Sequence, residues 1–186
     1  MIIKPEGLLK QDLTGKIIVF PTDTVYGVGC LLKDEASMKR IFELKKREET
    51  KPMAILAGNL FDLYPLVQNV EDVIPYAKKY WPGALTLVLK KSSNVSDIAT
   101  AFQNTVGIRI PNHQDALIIL NHFGPMVVTS LNLSSEPAIL KFEDVLRFKD
   151  KVDYIIDGGN LNGISSTVYD IINRKILRQG NVIIQD

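Results

Sequence analysis

Four cations crowd seven positions in the stretch KKREETKP: Lys45, Lys46, Arg47 and Lys51, closed by Pro52. Two chemistries suit that pattern. Basic residues at a helix C-terminus offset the macrodipole, for about 0.3–1 kcal/mol apiece, with Glu48 and Glu49 screening them. Alternatively the group holds an anion. Arg47 would grip a phosphate with its planar fork, while Lys45 and Lys51 add point charge. Pro52 biases Lys51 toward an extended conformation, so this cation sits on a loop feeding the apolar run MAILA rather than on a free helix surface.

Three hydroxyl or amide clusters raise the same question. PTDTVYG offers Thr22 and Thr24, TSLNLS offers Ser130 and Asn132, and STVYD offers Ser166 and Thr167. Each serves as a turn or cap, its oxygens bonding nearby backbone N–H groups, or as a polar rim selecting a small ligand. Arg109 interrupts the apolar run VGIRI and Arg178 interrupts ILRQG. An arginine inside a strand faces solvent or meets a ligand carboxylate or phosphate. None of these is decisive alone; together they repeat one arrangement along the chain.

The elements that must position these groups alternate. KIIVF (16–20) reads as a buried strand stopped by Pro21, so PTDTVYG lies at a strand end, where open α/β sheets bind ligands. Asp34 to about Lys46 begins with acids and ends with bases, and Met38, Ile41, Phe42 and Lys45 recur at helical spacing, predicting a helix. PMAILA is a strand, followed by helical stretches near 59–67 and 70–80, the breaker WPG and the strand ALTLVLKK. The second half predicts strand TVGIRI, a helix from about Asp115 to His122, strand MVVTS, a helix around FEDVLRFK, and short strands in YIIDG, STVYDII and KILRQG. Interleaved helices argue for an α/β layered sheet, and the closely spaced late strands argue that part of it is antiparallel. No internal repeat or linker breaks the chain, so one domain over 1–186 is expected.

Composition narrows the chemistry. Twenty-two basic and twenty-one acidic residues give a net charge of +1, which supplies no bulk attraction to nucleic acid or acidic membranes. Any anion site must be local. Cys30, the only cysteine, sits in the apolar context GVGCLL and reads as a core side chain in a reducing compartment. No run approaches the ~18 apolar residues of a membrane span and the N-terminus lacks a signal-peptide pattern, so a cytoplasmic protein is expected. A Walker A loop, a Rossmann fingerprint and a G-x-S-x-G elbow are all missing, and His113 and His122 with one cysteine predict no protein-held metal site. Such a chain works by positioning and charge.

In this order the segments PTDTVYGVG, ELKKREETKP, WPGALTLVL, VGIRIPNH, TSLNLSSEPA, IIDGG, SSTVYDI and ILRQG resemble the YrdC-like family, whose members make threonylcarbamoyl-adenylate for tRNA modification. The resemblance covers about residues 16–180. It implies an α/β fold with a twisted mixed parallel and antiparallel sheet, flanking helices and a deep, positively lined concave face. It also implies an enzyme, a nucleotidyltransferase using L-threonine, bicarbonate and ATP as substrates and releasing pyrophosphate, with Mg2+ expected alongside ATP.

By the same resemblance Lys45, Arg47 and Lys51 are the catalytic cations, and Arg47, Lys51, Thr105, Ser130, Asn132 and Arg178 bind ATP. Thr24, Arg109 and Ser166 hold L-threonine. Further partners would be tRNA and downstream threonylcarbamoyl-transferase proteins, with no membrane. Leu131, Ser135 and Ala84 depart from the residues usual at their positions, and Leu131 is expected to narrow the nucleotide pocket. Two other classes fit a basic hollow: a non-catalytic RNA-binding domain, and a carbamoyl-transfer module of a larger enzyme that shares the fold.

Overall fold

The computed structural model describes residues 1–185. In chain order the elements are α1 (Pro5–Leu8), β1 (Ile18–Phe20), β2 (Gly27–Leu31), α2 (Glu35–Lys45), β3 (Ala54–Leu56), α3 (Ile74–Tyr80), β4 (Leu85–Lys90), β5 (Thr105–Arg109), α4 (Gln114–Phe123), β6 (Met126–Ser130), α5 (Phe142–Val145), β7 (Tyr154–Ile155), β8 (Thr167–Asp170) and β9 (Lys175–Arg178). The strands form one sheet in the order β7-β1-β2-β6-β3-β5-β4-β8-β9. Pairs β1–β7, β3–β5 and β4–β8 are parallel and the other five are antiparallel. The sheet is mixed, as the spacing of its segments predicts.

Three predicted helices are shorter than their patterns. The stretch near 59–67 yields only a 3-10 turn, Leu60–Leu63, closed by a reciprocal cap between Asn59 and Asp62. The 70–80 stretch begins as a 3-10 turn before α3, and FEDVLRFK is one α-helical turn continued by Leu146–Phe148. GVGCLL, assigned to no element from the sequence, is strand β2. Its glycines lower strand propensity, yet a Cβ on Gly29 would lie 2.7 Å from the Val127 carbonyl and one on Gly27 2.9 Å from Val128 Cγ1. Only glycine lets β2 and β6 approach that closely.

Each face of the sheet buries its own apolar set. Met38, Ile41 and Phe42 of α2 pack with Val19, Val28, Cys30, Ile55 and Val127 on one face. Leu8 of α1 and Ala116, Ile119 and Leu120 of α4 pack with Ile18, Phe20, Leu56 and Met126 on the other. Fully burying each such aliphatic side chain stabilises the fold by about 1.5–3 kcal/mol. Cys30 is fully buried, and burial, with Asp34 second, pushes its thiol up to about 12. It is an inert core side chain.

The second face is only partly covered. Its cross-strand register runs Gly29, Val128, Ala54, Gly107, Val88, Asp170, and side chains this small leave a hollow where larger ones would fill the layer. Because strand side chains alternate between faces, Thr105, Gly107 and Arg109 of β5 open into this hollow while Val106 and Ile108 are buried behind.

Candidate functional site

The hollow is a cavity of about 390 Å³. Seven of the ten predicted site residues line it: Thr24, Arg47, Thr105, Arg109, Ser130, Ser166 and Arg178. Thr22, Thr86, Gln103 and Asp170 join them. These side chains come from the β1–β2 loop, the α2–β3 loop, strands β4, β5, β6, β8 and β9, and the residues just before β5 and β8, so no short sequence window holds the site.

In the cavity wall Arg109 is almost wholly buried, 5% exposed. Its Nε donates to the Gly83 carbonyl (2.9 Å), Nη1 to Thr24 Oγ1 (2.9 Å) and Nη2 to Asp23 Oδ1, with which it forms an ion pair. Burial lowers its pKa, and the neighbouring Asp23 carboxylate acts in the opposite direction. The charge here is therefore compensated within the protein. Thr24 Oγ1 also lies 3.0 Å from Thr22 Oγ1, which donates to the Val25 carbonyl at 2.7 Å. Above this loop, Tyr26 accepts from Gly158 N (2.9 Å) and donates to the Gly159 carbonyl (2.8 Å), pinning the segment IIDGG. Gly163 packs on the Thr24 backbone where no Cβ fits.

Arg47 and Arg178 also line the cavity, and neither has a carboxylate partner among the described residues; Arg178 lies near enough to Arg109 for its charge to lower the Arg109 pKa further. Helix α2 stops because Lys46 adopts the left-handed conformation (φ 49°), and Arg47 N bonds back to the Phe42 carbonyl at 2.9 Å. This is the closure that terminates helices at residues free to take positive φ. It turns the chain so that Arg47 reaches over the loop, Nη2 donating to the Pro52 carbonyl at 2.9 Å. Arg178 donates from Nε to the Ser166 carbonyl (3.0 Å) and from Nη2 to Ser166 Oγ (3.1 Å), which in turn pairs with Thr86 Oγ1 at 2.8 Å. Partial burial lowers the pKa of both arginines. Both retain N–H donors with no acceptor in these bonds, a geometry that suits an oxyanion.

The three remaining predicted residues lie outside the lining. Lys45 is buried at 1% exposure, and its Nζ donates to the Ser130 carbonyl, the Asn132 carbonyl (3.0 Å) and Asn132 Oδ1 (2.7 Å). Three acceptors match the three donors of an ammonium and favour the charged form, while burial, with Arg47 second, pushes the pKa down to about 7. Asn132 Oδ1 also accepts from Ser130 Oγ at 2.8 Å, and its Nδ2 donates to Leu133 and Glu136 carbonyls. Lys45 and Asn132 thus brace Ser130 from behind. Lys51 is exposed and faces Glu48 at 3.8 Å.

Leu131 is fully buried in the core and does not line the cavity; the alternation of β6 sends it away from Ser130. Ser135 takes φ 75°, which explains glycine's usual place there. Of the residues the sequence reading did not select, Thr86 had a signal, being the one polar position in the apolar alternation LTLVL. Asp170 caps the β8–β9 turn, accepting from Ile172 N and Asn173 N.

A mixed sheet whose open face is floored by small residues and ringed by hydroxyls and arginines defines a ligand-binding α/β protein. The family model Sua5_yciO_yrdC, described as Telomere recombination, matches residues 12–180. The chain belongs to this Sua5/YciO/YrdC family. It is 37% identical over 178 residues to the threonylcarbamoyl-AMP synthase of Pyrococcus abyssi, covering 92% of this chain and 52% of that protein. The crystal structure of P. abyssi Sua5 complexed with L-threonine superposes with a TM-score of 0.85 at 38% identity, over 89% of this chain and 51% of that one. Escherichia coli YciO gives 0.78 at 30% identity, over 90% and 84%. The chain spans about half the length of the Pyrococcus protein.

Proposed function

We propose that the chain is a threonylcarbamoyl-AMP synthase of the cytosol, its residues 1–186 acting as one domain. The observation that carries this reading is the gathering, in one cavity, of one arginine paired with a carboxylate and two without such a partner, in a chain similar to named synthases. The amine of L-threonine attacks the carbon of bicarbonate and water leaves, giving a carbamate. A carbamate oxygen then attacks the α-phosphorus of ATP, the bond to the β-phosphate oxygen breaks and pyrophosphate departs. No covalent enzyme intermediate is required. The protein aligns the reactants and offsets phosphate charge as the transition state forms.

In this reading Arg47 and Arg178 meet the phosphates, and Thr105 and Ser130 bind the rest of the nucleotide. Thr24, Arg109 and Ser166 hold L-threonine. Lys45 and Asn132 are positioning residues that fix Ser130, and Lys51 adds attraction from the rim. Mg2+ is expected to enter with ATP. Among the described residues no group of three or more His, Cys, Asp or Glu converges to hold it, and the roles above assign it no protein ligand. The product is an activated acyl donor, which a transferase would pass to adenosine in tRNA. Pyrophosphate release from ATP, measured with L-threonine and bicarbonate singly and together, tests the reading. Release requiring both is expected; release indifferent to threonine contradicts it.

A further inference from the structure

We infer that Asn162–Gly163, in the irregular segment between β7 and β8, is a site of spontaneous covalent modification, where conversion of the asparagine to isoaspartate displaces the adjoining cavity wall. The chemistry at this dipeptide is independent of the synthase reading, and only its effect on turnover rests on it. Asn162 is the one asparagine of the chain that precedes a glycine. Without a Cβ on the following residue, the main-chain nitrogen is free to approach the asparagine side chain. Once the Gly163 N–H gives its proton to hydroxide, the nitrogen attacks Asn162 Cγ, the Cγ–Nδ2 bond breaks, and Nδ2 takes up a proton and leaves as ammonia. A cyclic succinimide remains. Water then adds at either carbonyl carbon of the ring: breaking the N–Cγ bond gives aspartate, and breaking the N–C bond gives isoaspartate, whose main chain runs through an added methylene. Nothing is oxidised or reduced, and water is the only co-reactant.

The fold leaves this path open at Asn162 and obstructs it nearby. Asn162 is exposed, its side chain makes no hydrogen bond among the described residues, and between Leu161 and Thr167 no main-chain N–H finds an acceptor among them. Segments with so few bonds open locally at little cost. Asp157–Gly158, in the same segment, is held instead. Gly158 N donates to Tyr26 Oη at 2.9 Å, Asp157 Oδ1 accepts from Gly159 N at 2.9 Å, and a Cβ on Gly158 would lie 2.4 Å from Pro21 Cβ.

The consequence follows from where Gly163 sits. A Cβ there would fall 2.2 Å from the Thr24 carbonyl oxygen, so the position needs glycine and the reactive pair persists. The chain is fastened on both sides, Leu161 N to the Leu140 carbonyl at 2.8 Å and Thr167 N to the Ala84 carbonyl at 3.0 Å. A methylene added between those points pushes Gly163 off Thr24 or shifts Ser165 and Ser166, all of which border or line the cavity. Misplacement on this scale costs up to about 100-fold in turnover.

Incubation of the full chain in mildly alkaline buffer tests the site, read by peptide mapping with mass spectrometry and by methyl transfer from an isoaspartate-specific methyltransferase. Isoaspartate is expected at 162 ahead of every other asparagine, with threonine-dependent pyrophosphate release falling in proportion to it. Asn162→Gln, whose longer side chain must close a larger ring, should keep its activity through the same incubation. Fresh Asn162→Asp should turn over within about twofold of wild type, which separates the added charge from the added methylene. Asp157→Asn creates a second Asn-Gly pair inside the braced turn, and its two hydrogen bonds should slow the reaction there about tenfold or more relative to Asn162.

An intact Asn162 after other asparagines have reacted, equal rates at 157 and 162 in Asp157→Asn, full turnover in chains that carry isoaspartate, or equal loss of activity in Asn162→Gln would overturn the inference. Fresh wild-type protein without threonine-dependent release counts against the synthase reading instead, and the peptide map still decides the chemistry.

Discussion

Two kinds of arginine in one cavity put the same side chain to opposite effect. Arg109 is sunk in the sheet, ion-paired with Asp23 and bonded to Thr24 and Gly83, so it presents geometry without surplus charge. Arg47 and Arg178 lean on carbonyls and a hydroxyl alone, so their charge is still available to a ligand. A compensated arginine suits a zwitterion, whose own charges cancel. An uncompensated one suits a triphosphate. The difference lies in one carboxylate, and the overall charge of +1 conceals it.

Variants of the uncompensated arginines should break the comparison hardest. Arg47→Ala is expected to lower threonine-dependent pyrophosphate release about 100-fold or more, with a melting temperature close to wild type because the side chain is only half buried. Steady-state assay and thermal denaturation together check this. Arg178→Gln should follow at about 10-fold. Arg178 bonds Ser166 while facing the cavity, so this variant should raise KM for both ATP and threonine, where Arg47→Ala should not.

Lys45 offers a test by pH. Its folded pKa of about 7 lies below its ordinary value of 10.5, so between these values the unfolded chain binds the extra proton. Stability should then rise with pH through that window, by at most about 1.4 kcal/mol per unit. Chemical denaturation at pH 7 and pH 9.5 should find this gain in wild type and lose it in Lys45→Met. The smallest effect is expected at Lys46, which is exposed and outside the cavity. Lys46→Gly should leave turnover within about twofold and add up to about 1 kcal/mol of stability by relieving its positive φ.

The sheet was legible from strand-sized apolar runs and their breakers, and the mixed pairing from the crowding of the late strands. Helix lengths were not, because 3-10 turns share the apolar spacing of short helices and caps such as Asn59–Asp62 close them early. Within the cavity Arg47 was legible from the loop that KP imposes. The same stretch misleads at Lys45. Its helical spacing from Met38, Ile41 and Phe42 marked a buried face, but a lysine there reads as a helix-end cation until its three acceptors are seen. The pairing of Asp23 with Arg109 was out of reach, since 86 residues separate them and only the fold joins them.

In this reading Arg47 and the Asp23-paired Arg109 serve different ligands, and affinities for ATP and for L-threonine in Arg47→Ala and Asp23→Asn address that directly. Arg47→Ala should lose ATP affinity and keep that for threonine, and Asp23→Asn should do the reverse. Equal losses of both ligands in both variants would contradict it.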